Sequence, residues 1–162
     1  MALDTVEDFA VVAYVEDQAW QVGVLPERLT GDLDGLVAAL RQQPGEGGAL
    51  GLVNVADEFF VALRVVGSDV RLLLSDVTAA VAWDLAAQVC ESLDVPVPGD
   101  DDINDVYPAG DLTIFADLGM DEMELSAVLA DLEAYADEML SAIAARLGFG
   151  DVYERALEGA VR

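Results

Sequence analysis

The spacing of apolar residues changes several times along this chain, and each change marks a new element. Residues 9–15 (FAVVAYV) and 19–24 (AWQVGV) are apolar runs parted by Glu16, Asp17 and Gln18. A two-residue turn at Asp17-Gln18 sets Val15 opposite Trp20, Ala13 opposite Val22 and Val11 opposite Val24. Those pairs share one face, so a hairpin is predicted. Leu33, Leu36, Val37 and Leu40 then recur at helical spacing, which predicts an amphipathic helix over 30–42. A loop from Pro44 to Gly48 ends it. Residues 49–55 and 58–66 read as a second hairpin around Ala56-Asp57, with a register displaced by one residue as the alternative. Gly67-Ser68 is a strong two-residue turn into 70–74, and its register sets Arg64 opposite Arg71.

The rest of the pattern is organised around residues 70–93. VRLLL carries bulky side chains at nearly every position, which predicts a strand buried on at least one face and central in the sheet. Ser75 and Asp76 can accept from the unpaired amides of a first helical turn. The following stretch, 77–93, lacks Gly and Pro and reads as one helix. Its strongly polar positions, Asp84, Gln88 and Glu91, form a single narrow stripe. A helix apolar over so much of its surface needs cover on two sides, here a sheet on one and the C-terminal helices on the other. After an acidic, proline-bearing connection at 95–110, the remainder is helical. Helices are expected at 111–118, from Asp121 (paired with Glu124 in a capping pattern) to about 132, at 135–147 before Gly148, and from Asp151 with Glu154. The expected fold is α+β, with a largely antiparallel sheet of about five strands in the order ββαβββα and a C-terminal helical segment. The expected division is a sheet domain with its covering helix at 1–94, the connection at 95–110, and a helical segment at 111–162 packed on the sheet domain.

Charge changes this picture more than composition does. The 162 residues are 54% hydrophobic, ample for a core, yet 32 acidic residues face 7 basic ones, all arginine, for a net charge of −25. Such a surface repels phosphate backbones and argues against direct binding of nucleic acid. It favours a basic protein surface or metal cations, or serves only to keep the protein soluble. A GC-rich genome or a salt-adapted host would leave the same imprint. The chain has no histidine, which removes the commonest general base, the Ser-His and Cys-His nucleophile pairs and every histidine metal site. Cys90, the single cysteine, lies in the apolar helix and reads as a small buried hydrophobe. The opening MALDTVEDF lacks the pattern of a signal peptide, and no apolar run approaches the ~20 residues of a membrane span. A cytoplasmic protein with no membrane partner is expected.

Three features invite a chemical reading. Asp100, Asp102, Asn104 and Asp111 occupy positions one, three, five and twelve of a calcium-loop spacing. However, Asp105 stands where that loop needs glycine for its sharp turn, and Pro108 stands at the ninth position. A solvated linker is the preferred reading, with a calcium site or a metal-dependent hydrolase built on this loop as the alternatives. Arg64 and Arg71, side by side on adjacent strands, have the geometry to hold a carboxylate or phosphate, although an internal ion pair is the simpler role. Trp20 and Trp83 lie on predicted apolar faces, so core packing is their default. No phosphate loop, zinc spacing or nucleophile elbow occurs, and no cofactor is expected.

The opening FAVVAYVEDQAWQV, the junction LLLSDVTAA and the closing LSAIAARLGFGDVYERALE, in this order in an acidic chain, resemble the actinobacterial tRNA adenosine deaminase-associated proteins. The resemblance spans most of the chain, rests on structural motifs and brings no catalytic residues with it. It implies a cytoplasmic, non-catalytic accessory protein whose partner is a tRNA adenosine deaminase. A zinc deaminase itself needs an H-x-E and a P-C-x-x-C motif, which this chain lacks. The contacts to a basic partner surface are expected in the acidic connection, at Asp100, Asp101, Asp102 and Asp105.

Overall fold

The computed structural model describes residues 8–43, 48–97, 107–131 and 133–161. Six strands form one antiparallel sheet in the order β2-β1-β3-β4-β5-β6. They are β1 (Phe9–Glu16), β2 (Ala19–Val24), β3 (Ala49–Val55), β4 (Phe59–Val66), β5 (Asp69–Leu74) and β6 (Ala109–Gly110). The first hairpin has the register its apolar alternation predicts, with Val15 opposite Trp20 and Val11 opposite Val24. Asp17 and Gln18 take positive φ (54° and 66°), the backbone that a tight two-residue hairpin turn demands. The third hairpin likewise sets Arg64 opposite Arg71.

In the second hairpin the displaced register is the one adopted. Val55 faces Phe59, while the Glu58 amide closes the turn onto the Val55 carbonyl at 2.9 Å. Glu58 therefore stands as an extra residue beside the turn, and the strand begins at Phe59, so that Phe59 and Phe60 are buried on opposite faces.

Between β2 and β3 the chain crosses the sheet. A 3-10 turn at Glu27–Gly31 leads into helix α1 (Leu33–Arg41). The helix starts later than the periodicity suggests, because Asp32 is the cap and accepts from the Gly35 amide at 3.0 Å. Thr30 instead closes the preceding turn by donating to the Glu27 carbonyl.

The predicted helix 77–93 is two pieces, a 3-10 turn at Val77–Val81 and helix α2 (Asp84–Leu93). Asp76 caps the first piece, accepting from the Thr78 amide at 2.9 Å. Trp83, in extended backbone (φ −120°, ψ 126°), separates the pieces and rests near Phe59, with ring centroids 6.2 Å apart. The break leaves Val81 52% exposed, so the all-round apolar surface that seemed to need two covers is not continuous. The Gln88 side chain ties α2 to α1, accepting from the Leu33 amide and donating to the Gly31 carbonyl, both at 2.9 Å.

The C-terminal helices do not lie on α2. They are α3 (Glu122–Leu129), α4 (Ala136–Leu147) and α5 (Gly150–Val161), and they cover the opposite face of the sheet. One core layer joins Val12, Val53, Val61, Leu63 and Leu74 to Leu36 and Leu40 of α1 and Val89 and Cys90 of α2. The other joins Val11, Leu52, Phe60 and Leu73 to Leu125, Leu140, Ile143, Phe149 and Tyr153. The middle strands β3 and β4 are buried on both faces, which is why they read as nearly unbroken apolar runs. β5 is not central, because only the two residues of β6 lie beyond it. The expected helix at 111–118 is a set of turns ending in a 3-10 turn, Ala116–Leu118. Asp121 caps α3 by accepting from the Glu124 amide. Helix α5 starts at Gly150, ahead of Asp151. Among the described residues, no helix is long and apolar enough to cross a membrane.

β6 depends on one glycine. Gly110 has φ 111°, and a Cβ there would lie 2.2 Å from the Leu72 carbonyl oxygen. Gly110→Ala must therefore push β6 off β5, at a cost of roughly 1–3 kcal/mol from backbone strain alone. Urea unfolding checks this; an unchanged midpoint would show that β6 is dispensable.

Candidate functional site

Arg64 and Arg71 lie on the face of the sheet that the C-terminal helices cover, and each meets a carboxylate of the segment leading to those helices. Arg64 is buried. Its guanidinium grips both Asp117 carboxylate oxygens, with Nη2 to Oδ2 at 2.8 Å, and donates to the Ile114 carbonyl at 3.1 Å. Arg71 donates to Asp111 at 2.6 Å and to the Thr113 carbonyl at 2.8 Å. The pair thus acts as two rivets holding residues 111–117 onto the sheet. The Arg64 hydrogen bonds hold the Asp117 carboxyl below its ordinary range. At Asp111, burial pushes the other way, but the hydrogen bonds from Arg71 and Thr113 outweigh it and the net shift is downward. Both shifts stabilise the fold above the ordinary carboxylate range, and that contribution is lost as pH falls through the lowered values.

Among the candidate cation ligands, Asp111 is committed to Arg71 and to the amide and hydroxyl of Thr113. Asp100, Asp102 and Asn104 lie outside the described residues, as do the partner-contact candidates Asp101 and Asp105. Among the described residues, no three acidic or cysteine side chains stand close enough to share a metal ion. Cys90 is buried, and burial pushes its thiol up and away from thiolate reactivity. Trp20 packs on Phe149, with centroids 4.6 Å apart, whereas Trp83 is 36% exposed.

Nothing in the apolar pattern singles out Tyr153. It is 1% exposed, packed edge-on to Phe9 and Phe149, and its hydroxyl has no hydrogen-bond partner among the described residues. Burial raises its pKa well above the ordinary 10.0, and the nearby Asp137 and Glu154 raise it further. A raised folded-state value means stability is intact below about pH 10 and is lost as pH rises beyond it. Tyr153→Phe should leave the melting temperature at neutral pH unchanged or higher and flatten the fall above pH 10. An equally steep alkaline fall in the variant would show that Tyr153 does not cause it.

The most distinctive property of this surface is unneutralised charge. Three ion pairs form among the described residues: Arg64–Asp117, Arg71–Asp111 and Arg146–Glu124. With 7 arginines for 32 acids, the carboxylates far outnumber the cations that could pair with them. Asp137 shows the local consequence, since burial and the neighbouring Asp57 both raise its carboxyl.

Comparison with known proteins gives this surface a context. Residues 8–150 match the family model described as Rv3753c-like tRNA adenosine deaminase-associated protein. Protein Rv3753c of Mycobacterium tuberculosis (strain ATCC 25618 / H37Rv) is 38% identical over 151 residues, which span 93% of this chain and 87% of that protein. No solved structure matches significantly.

Proposed function

Because the chain belongs to the Rv3753c-like tRNA adenosine deaminase-associated protein family, we propose that it is a non-catalytic, cytoplasmic accessory protein that binds a tRNA adenosine deaminase. The observation that carries this reading is the unneutralised charge of −25, with Arg64, Arg71 and Arg146 turned to internal carboxylates. An enzyme that grips tRNA must present a basic surface, because phosphate contacts dominate that affinity. An acidic protein approaches such a surface under long-range attraction, which speeds encounter more than it deepens affinity. Once there, it covers the tRNA site, competes for it or orients the enzyme. The chemistry of the reaction belongs to the partner, since a chain without histidine and with one cysteine cannot assemble the deaminase zinc site. Among its contacts we include the acidic connection, Asp100, Asp101, Asp102 and Asp105.

The test is capture of partners from the native cytoplasm on immobilised chain at low salt, followed by elution with rising salt. A deaminase released at moderate salt is the expected result. If the bound fraction holds no deaminase, this reading is wrong and the acidity serves solubility alone.

A further inference from the structure

At one end of the sheet the C-terminal layer leaves an open trough. Its inner half is a hollow of about 180 Å³ where the start of α4 passes the turn after β3 and the junction after β5. Its outer half, about 370 Å³, runs on between α3 and α4. Ala134 and Met139 line both halves, so the two adjoin. Apolar lining comes from Leu129, Val128, Met139 and four alanines, and Glu58, Asp76, Asp131 and Glu138 line it as well. Among the described residues, no arginine lines either half. The strand arginines sit towards the Gly67-Ser68 turn at the other end of the sheet, as the pairing of Arg64 with Arg71 requires.

We propose that this trough is a docking groove for a basic, amphipathic segment of a protein partner. The segment's apolar side chains would seat on Leu129 and Met139, and its arginine or lysine heads would meet Glu58, Asp76, Asp131 and Glu138. The proposal deepens the accessory reading and rests on it for the partner's identity. Charge complementarity decides the occupant. An acidic segment of this chain, or a second copy presenting the same acidic residues, would bring like charges together at short range. Nearby, burial and the charges of Asp57 and Glu138 raise the Asp137 carboxyl, so the field here is negative. A helix docked here would have its apolar face read by spaced anchors while its polar face met the acidic residues.

The test uses the full chain and a synthetic helix-forming peptide with leucines on one face and arginines on the other. A peptide of the same composition in scrambled order is the control. The amphipathic peptide should shift the NMR signals of the Met139 methyl and the Ala134 amide, and should bind at least about tenfold more tightly than the scrambled one. Met139→Lys and Asp131→Arg should each weaken it by about tenfold. Asp34→Arg, an equal change in charge on an exposed position of α1, should not. Ala142→Arg, on the exposed outer wall, replaces Met139→Lys should that variant unfold. Equal binding of both peptides, or equal weakening by Asp34→Arg, overturns the groove in favour of diffuse charge attraction. A dimer in sedimentation that the groove variants abolish overturns it in favour of self-association. Repeating the titration with purified tRNA adenosine deaminase separates the two proposals. If the enzyme binds the groove variants as well as the unaltered chain, the groove falls and the accessory reading stands. If the peptide docks as described but the enzyme does not bind at all, the accessory reading falls.

Discussion

Phe149→Ala should cost the protein roughly 3–5 kcal/mol, as complete truncation of a buried aromatic does. Phe149 is fully buried and stands at the corner between α4 and α5, where its ring meets Trp20 of β2 and Tyr153 of α5. The corner is built by Gly148 at φ 101°, with the Gly148 and Phe149 amides both returning to the Ala144 carbonyl, at 3.1 and 2.9 Å. Removing the ring leaves a cavity under α5 and frees one side of Trp20. For a domain of ordinary stability, about 5–15 kcal/mol in total, this is a large fraction. In a Trp83→Phe background the emission of Trp20 should shift to the red and the urea midpoint should fall. A variant that keeps both would mean that α5 is not held through this contact.

The second large effect is expected at the inner rivet. Asp117→Ala leaves the buried Arg64 guanidinium with the Ile114 carbonyl as its remaining acceptor in this segment. Losing one partner of a buried charge costs more than the pair itself is worth, because the remaining charge cannot return to water. Asp117 is itself 61% exposed, which screens the interaction, so the expected cost is about 2 kcal/mol rather than the fully buried limit. Arg64→Met in the same background should recover part of it by removing the stranded charge. Equal stability of Asp117→Ala and the unaltered chain in thermal unfolding would show that Arg64 finds another acceptor.

The two-residue hairpins were legible because their alternation allows only one register that keeps apolar faces together, as Val15–Trp20 and Arg64–Arg71 illustrate. Caps were legible where a short acid precedes an apolar period, at Asp76 and Asp121. The layer order is set by the strands and not by residues 77–93. Continuous apolarity over 77–93 suggested one helix buried on two sides, but the extended backbone at Trp83 breaks it. The strands carried the better signal. LGLV and FFVALRVV, apolar at nearly every position, require cover on both faces of the sheet, and that places the C-terminal helices opposite α1 and α2. β6 is illegible in the sequence because two residues carry no period, and the tie that fixes it is a backbone bond from Asp111 to Leu72. The arginine pair was visible from the register, but its carboxylates, 40 and 53 residues away respectively in chain order for Arg71 and Arg64, were not. The trough between α3 and α4 was invisible for the same reason, since its lining gathers side chains from four separate parts of the chain.

The central claim is that this acidic chain recognises a tRNA adenosine deaminase directly. Calorimetric titration of the purified enzyme with the purified chain, at low ionic strength and again with added salt, addresses it most plainly. The account predicts saturable binding that weakens progressively as salt screens the attraction. An absence of binding at low ionic strength, with both proteins folded, would contradict it.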